Sequence, residues 1–369
     1  MNRGAGTWPV LRSTAIGVIL LALVVEVVFR IVPPANLTRD RLIRGGNPEV
    51  ALIKPHPYLS YVLNPGLSRP GLHHNALGYR GPEVTREKPA GVVRILCLGA
   101  SSTYGVTAGS DGATWPARLQ WHLTESLPSV TFEVVNGGVP GYSTFESMID
   151  LEIRGVELQP DIVIIYAGFN DLRAATWPNV QPDNTQFRKS WGLEKPPLVA
   201  LLELSQTFLL ARWFMSDYRN TEVALSRYVV VPEDGAAFLG GARSLSPVAF
   251  ASFIRNLSHV IAIARLHHIR VLAAVEAYGE ATIAGQFADL VDQGMSGFAN
   301  SLAQLVDEMQ PGQDVQIFDA RKSLPLAPGV FVDGVHMSDA GSDRLGRLVK
   351  NRLMELGWVG SRASAKPSE

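Results

Sequence analysis

The chain has 369 residues, a formal net charge of −1, one cysteine and 18% charged residues, and 46% of its residues are hydrophobic. Its length fits one large or two ordinary domains. The near-zero charge offers no general basic surface, so we expect no nucleic-acid partner. The single Cys97 excludes an internal disulfide and a multi-cysteine metal site. Soluble domains average about 25% charged residues, so part of this chain is more apolar than a soluble enzyme requires.

The apolar excess begins at the N-terminus, where every residue from 15 to 25 is apolar or glycine. Residues 13–32, interrupted by Glu26 and Arg30 and ended by two prolines, are enough to cross a bilayer as a helix. No small-x-small cleavage motif follows, which favours an uncleaved anchor over a cleaved signal peptide or a buried helix. We predict a single-pass transmembrane helix within residues 1–33. Arginines flank both sides, but long downstream domains translocate largely regardless of such charges, so we expect a periplasmic or extracellular catalytic domain.

A connector rich in proline and glycine follows at residues 34–91, and apolar strands then alternate with helices. In chain order we predict a strand at 92–98, a helix at 115–127, a strand at 131–135, a helix at 143–155, a strand at 161–167, a helix at 247–266, a strand at 269–275, a helix at 283–309, a strand at 315–318 and a helix at 339–356. Continuous apolar strands are typical of a parallel sheet covered on both faces. The sequence therefore predicts an α/β domain over residues 92–358, with a disordered tail at 359–369.

Residues 177–241 do not fit this alternation. Within them, residues 196–215 are strongly apolar, yet Glu203, Gln206 and Arg212 make the segment too polar for a second membrane span. A helical insertion that covers the site or lies on the membrane surface is one interpretation of this segment. An ordinary packed helix is the other, and such a segment favours it.

Residues able to do chemistry follow the predicted strands, where a parallel sheet binds its ligands. Ser101, Gly141 and Asn170 follow the first three strands, and Asp333 and His336 precede the last helix. A serine hydroxyl needs a base, which His336 can supply while Asp333 holds its other ring nitrogen. The backbone N–H groups of Ser101 and Gly141 and the amide of Asn170 are candidate donors to the oxyanion of acyl transfer.

Each of these residues also has a structural interpretation. Ser101 can cap a helix, Gly141 can serve a turn, Asn170 can form an Asx turn, and Asp333 with His336 can cap the last helix. The constellation favours the catalytic interpretation, because all five residues arrive at one edge of the sheet.

Three neighbours carry separate expectations. We expect the side chain of Ser102 to point into the turn after the first strand. Asp171 is expected to be a structural hydrogen-bonding residue, and Arg80 is a candidate substrate contact.

The constellation resembles the signature blocks of the SGNH (GDSL-type) hydrolase family, in the order of that family. Ser101 matches the block I serine, Gly141 the block II glycine, Asn170 the block III asparagine in G-x-N-D, and His336 the block V histidine in D-x-x-H. The resemblance extends over residues 92–356. Four motifs in the family's order are far more specific than any one of them.

The first block departs from the family, because it often reads Gly-Asp-Ser and here reads Gly-Ala-Ser at residues 99–101. This departure does not touch the triad. Residues 75–80, Asn-Ala-Leu-Gly-Tyr-Arg, resemble membrane-tethered bacterial members. The resemblance implies a three-layer, flavodoxin-like fold with a parallel five-stranded sheet, and ester hydrolysis without a metal or other cofactor.

The sequence thus predicts a serine esterase that acts on an acyl ester of a carbohydrate or lipid through Ser101, His336 and Asp333. O-deacetylation of a glycan or polysaccharide is the substrate that the resemblance suggests. A lipid-ester or thioester hydrolase, or an acyltransferase with the same triad, is the alternative. A non-catalytic binding protein on this fold is the alternative of another class.

Overall fold

The computed structural model describes residues 7–32, 52–176, 180–183, 197–215, 245–279, 288–309, 314–324 and 329–360. Parts of five predicted segments lie outside these ranges: residues 1–6 and 33 of the anchor, the start of the connector, most of the insertion, the first turn of the helix expected from residue 283, and the tail beyond residue 360. The chain divides into two compact units, one of Met1–Pro55 with Ser190–Tyr228 and one of His56–Lys189 with Val229–Glu369.

The strands are β1 (Ile53–His56), β2 (Ser60–Leu63), β3 (Ser68–Arg69), β4 (Leu72–His73), β5 (Val92–Gly99), β6 (Thr131–Gly138), β7 (Ile162–Ala167), β8 (Arg270–Val275) and β9 (Val315–Asp319). Strands β5 to β9 form one parallel sheet in the order β6-β5-β7-β8-β9. This confirms the predicted α/β fold with a parallel five-stranded sheet, and each predicted strand overlaps an observed one.

The helices are α1 (Thr7–Ile31), α2 (Ser101–Tyr104), α3 (Trp115–Ser126), α4 (Thr144–Asp150), α5 (Phe169–Ala175), α6 (Pro197–Leu202), α7 (Gln206–Met215), α8 (Pro247–Leu266), α9 (Ala288–Glu308), α10 (Ala320–Ser323) and α11 (Asp339–Glu355). The single helix predicted at 143–155 is shorter than expected. It changes after α4 into a π turn and then a 3-10 turn that ends at Leu158. The changed winding keeps both Leu151 and Leu158 in the core.

Both faces of the sheet are buried, which explains the continuous apolar strands. Successive residues of a strand point to opposite faces. In β5, Ile95 and Cys97 belong to one hydrophobic cluster, which includes side chains of α3 and α11. Leu96 and Leu98 belong to the other cluster, which includes side chains of α8 and α9. The sheet is therefore the middle of three layers.

Helix α8 is long and apolar enough to cross a membrane by length and composition, with a mean hydropathy of 1.3. Its residues Phe253, Leu257 and Val260 are buried in the core beside the sheet, so α8 is one of the layers that cover the sheet. The span expected at the N-terminus is helical in the structure, as α1. Its insertion into a membrane stays a prediction.

Candidate active site

The turn that carries Ser101 follows β5 at the carboxyl edge of the sheet. Strand β5 ends at Gly99, and Ser101 opens the short helix α2. The end of β6 passes very close to this helix, because a Cβ on Gly138 would lie 2.2 Å from the backbone nitrogen of Tyr104. Only glycine allows such an approach. The lack of a side chain at Gly138 thus allows α2 to lie this close to the sheet.

His336 joins Ser101 and Asp333 through its two ring nitrogens. The Nε2 atom of His336 lies 2.8 Å from the Oγ atom of Ser101. The Nδ1 atom of His336 lies 2.7 Å from the Oδ2 atom of Asp333. The structure therefore brings Ser101 and Asp333 each within hydrogen-bond distance of His336, although the three residues come from two ends of the domain.

The protonation of Asp333 decides the tautomer of this histidine. Partial burial raises the pKa of Asp333, but hydrogen bonds from the His336 ring and from the backbone N–H groups of Val335 and His336 outweigh it and lower the pKa to about 2. An ionised carboxylate can only accept hydrogen bonds. The Nδ1 atom of a neutral His336 must therefore carry the proton, which leaves Nε2 free to accept the Ser101 hydroxyl proton.

Two hydrogen bonds connect the serine turn directly to the histidine loop. The Ser102 hydroxyl donates to the carbonyl oxygen of Val335 over 3.2 Å. The Thr107 hydroxyl donates to the carbonyl oxygen of Met337 over 2.6 Å. These bonds lie on either side of His336 in its loop. The distance from Ser101 to His336 is thus held by these two hydrogen bonds to the backbone as well as by the contact between Ser101 and His336.

Gly141 and Asn170 come from the loops after β6 and β7. Gly141 has a φ of 84°, a conformation that favours glycine over residues with a side chain. The Asn170 amide donates to the carbonyl oxygen of Tyr142 over 2.8 Å, which connects the two loops. Ala100, Tyr142 and Asn170 line one small cleft. Asn170 therefore lines this cleft together with Ala100 and Tyr142, the neighbours of Ser101 and Gly141.

The order and spacing of these residues agree with a known protein family. A profile of the GDSL-like lipase/acylhydrolase family matches residues 97–344, more than half of the chain. The chain belongs to this family. The resemblance to SGNH (GDSL-type) hydrolases that the motifs indicated is thereby confirmed.

Two solved structures are similar to this chain at low identity. A catalytic mutant of an acetylxylan esterase from Geobacillus stearothermophilus is 18% identical, with a TM-score of 0.43, over 73% of this chain and 97% of that chain. A GDSL-like lipase from Bacteroides thetaiotaomicron is 13% identical, with a TM-score of 0.39, over 71% of this chain and 88% of that chain. No curated protein sequence matches this chain. Likeness at this level says nothing about the substrate.

Sequence reasoning missed one acidic residue at this GDSL-type site. Glu276 directly follows β8 and is 2% exposed. Its Oε2 atom accepts a hydrogen bond from the backbone N–H of Phe169 over 3.1 Å, and its side chain also bonds to Ser102. Burial raises the pKa of Glu276, although these hydrogen bonds lower it. The carboxyl thus connects the neighbour of Ser101 with the neighbour of Asn170.

Asp171 has the structural role expected of it. Its carboxyl accepts hydrogen bonds from the Thr144 hydroxyl and from the Thr144 backbone N–H, the latter over 3.2 Å. Complete burial raises the pKa of Asp171 to about 7, with smaller increases from Glu146 and Glu276, while the bonds from Thr144 lower it. Asp171 therefore fixes the start of α4, directly after the loop that contains Gly141.

The expectation that Arg80 contacts substrate is wrong, because its side chain is buried against the protein. Its Nη1 atom donates to the carbonyl oxygens of Tyr104, over 3.0 Å, and Gly105, over 2.6 Å. Its Nε atom donates to Asp111 over 2.7 Å. The two carbonyls lie at the end of α2, the helix that begins with Ser101. Arg80 therefore holds the far end of that helix; we call this contact the Arg80 clamp.

Proposed function

We propose that this chain is a serine ester hydrolase with Ser101 as its nucleophile. The observation that supports this most is the pair of short distances on His336, 2.8 Å to Ser101 and 2.7 Å to Asp333. A general base must lie within hydrogen-bond reach of the proton it removes, and a third group must orient that base. Both conditions are met without a rearrangement of the site.

In this mechanism, the Ser101 oxygen attacks the acyl carbonyl carbon while its proton passes to Nε2 of His336. The oxyanion accepts hydrogen bonds from the backbone N–H groups of Ser101 and Gly141 and from the second amide hydrogen of Asn170. Collapse of the tetrahedral intermediate breaks the ester bond, and His336 protonates the departing alcohol. Water, deprotonated by His336, then releases the acid from Ser101.

We propose acetyl as the acyl group, carried by a glycan or polysaccharide. The cleft beside Ala100 and Asn170 is narrow, because the space in it that no atom fills is about 170 Å³, part of it open to solvent. A cleft of this size suits a short acyl group better than a long chain. The alcohol then lies outside the cleft, where a sugar has room.

The nucleophile is tested by replacing each of two adjacent serines in the full chain. Ser101→Ala should abolish hydrolysis of p-nitrophenyl acetate and labelling by a fluorophosphonate. Ser102→Ala should still be labelled, because its hydroxyl binds the carbonyl of Val335 instead of His336. Undiminished labelling of Ser101→Ala would show that another residue is the nucleophile.

The acyl preference is tested separately with p-nitrophenyl esters of increasing chain length. We expect kcat/KM to fall steadily from acetate to octanoate. A higher kcat/KM for octanoate would contradict the acetyl proposal and favour the lipid-ester alternative. Release of acetate from an acetylated polysaccharide, measured with and without Ser101→Ala, would then test the alcohol.

We also propose that α1 anchors the chain in a membrane, with the catalytic domain on the periplasmic or extracellular side. Its 25 residues extend about 37 Å at 1.5 Å per residue, enough to cross about 30 Å of hydrocarbon. Leu20, Leu21 and Ile31 are each more than half exposed. The chain should resist extraction by alkaline carbonate, and release into the supernatant would contradict the anchor. Protease protection of intact cells would determine the side.

A further inference from the structure

Helix α6 and the turn after it have their polarity reversed relative to a protein surface in water. Leu198 and Leu201 of α6 are 65% and 63% exposed, and Leu204 after α6 is 52% exposed. By contrast, Glu203 is 6% and Gln206 is 4% exposed. Glutamate is almost never fully buried in a soluble protein, whereas leucine is among the residues most often buried. Leucines outside and polar side chains inside are the arrangement that a lipid environment favours.

The polar groups of this unit are directed toward α1. Glu26 accepts hydrogen bonds from the backbone N–H groups of Gln206 and Thr207, over 2.8 and 2.9 Å, and from the Ser205 hydroxyl over 2.8 Å. These donors belong to the first turn of α7. A helix begins with N–H groups that have no partner within the helix, and a carboxylate is a favourable acceptor for them. Glu26 thus caps α7 from another helix.

Arg30 completes the connection on the same face of α1. Its Nε atom donates to Glu26 over 2.7 Å, and its Nη2 atom donates to the carbonyl oxygen of Leu204 over 2.7 Å. That carbonyl lies between α6 and α7. Glu26 and Arg30 therefore both bind backbone or side-chain groups of the turn between these helices. In hydrocarbon, polar groups of this kind are strongly unfavourable unless they have hydrogen-bond partners.

We propose that α6 and α7 form a second membrane-embedded element, packed on α1, whose exposed leucines contact the acyl chains of the bilayer. Apolar side chains of α1 in the same unit, such as Leu23 and Val27, are exposed as well. Glu26 precedes the end of α1 by five residues, or about 8 Å. The turn between α6 and α7 therefore lies in the leaflet that holds the C-terminal end of α1. This inference rests on the proposed anchoring by α1.

The test measures lipid contact at single positions of the full chain in phosphatidylcholine vesicles. A Cys97→Ala background carries one new cysteine, labelled with an environment-sensitive NBD fluorophore. Leu201→Cys reports on α6, Leu20→Cys on α1, and Asp307→Cys on an exposed position of α9. Brominated lipid should quench the fluorophore at residues 20 and 201 and leave the emission at residue 307 unchanged. Hydrolysis of p-nitrophenyl acetate by each variant checks that the chain is folded.

The possible results separate this inference from the proposed anchor. Quenching at residue 20 without quenching at residue 201 would overturn the inference and leave the anchor in place. No quenching at either position would overturn both. Neither result bears on the esterase, whose test is Ser101→Ala.

A second variant tests the contact that holds the element. With Leu201→Cys as reporter, Glu26→Ala should lose the quenching by brominated lipid, because the first turn of α7 loses its cap. Glu125→Ala, at an exposed position of α3, is the matched control and should keep the quenching. Full quenching in Glu26→Ala would show that Glu26 does not hold α6 and α7 in the bilayer.

Discussion

The buried carboxyl of Asp171 should make the stability of this protein depend on pH in a direction opposite to that of most acidic residues. Its pKa rises from 3.8 to about 7 on folding, mainly through burial. The native state therefore binds more protons than the unfolded state between these values, and its stability falls as pH rises through that window. A shift of about three units corresponds to about 4 kcal/mol in total, since one unit is about 1.4 kcal/mol.

Most of this change, about 3 kcal/mol, falls between pH 5 and pH 8. Urea unfolding of the full chain in detergent, followed by tryptophan fluorescence, measures it. The free energy of unfolding of the wild type minus that of Asp171→Asn should fall by this amount over the range, because the amide does not titrate. Asp307→Asn, exposed on α9, should run parallel to the wild type. Parallel curves for Asp171→Asn and the wild type would refute the reasoning.

Three further predictions concern the site and its support. Glu276→Ala should lower kcat for p-nitrophenyl acetate about 10- to 100-fold with KM nearly unchanged. Glu276→Gln should retain activity, because glutamine keeps the hydrogen bonds. Equal losses in both variants would show that the carboxyl acts through its charge. Asn170→Ala should lower kcat about 10²- to 10³-fold, as expected for an oxyanion donor, and a change in KM alone would argue against that role. Arg80→Met should lower the free energy of unfolding, measured by urea denaturation, by about 3 kcal/mol, because Asp111 and two carbonyls lose their partner. An unchanged midpoint of the urea transition would contradict the Arg80 clamp.

Much of the sheet could be predicted because its strands are buried on both faces. The strand Val92–Gly99 does not alternate between apolar and polar residues. A mostly apolar strand of this length is typical of a parallel sheet that is covered on both faces. The position of the candidate site could then be predicted, because the carboxyl ends of parallel strands lie at one edge of the sheet. Ser101, Asp333 and His336 lie within hydrogen-bond distance as that argument required, while their catalytic roles stay predictions.

The supporting contacts could not be predicted, because their partners leave no pattern in the sequence. Arg80 binds backbone carbonyls 24 and 25 residues away, and any residue type can supply a carbonyl. Its segment is rich in turns, without a period that would indicate which side chains are buried. Glu276 did leave a signal, namely an acid directly after a buried strand, at the same edge as Ser101. A search for isolated acids at strand ends would have found it.

Because of the Arg80 clamp, the functional domain begins earlier in the chain than its parallel sheet does. The parallel sheet and the residues Ser101, Asp333 and His336 all lie from Val92 onward. A chain that begins at Val92 would therefore keep the four signature blocks. It would nevertheless lose the guanidinium that holds the end of α2, the helix that begins with Ser101. Exchanges of domains between relatives should therefore be made upstream, near His56, where the larger unit begins. The shortest transferable unit of this hydrolase is longer than its motifs suggest.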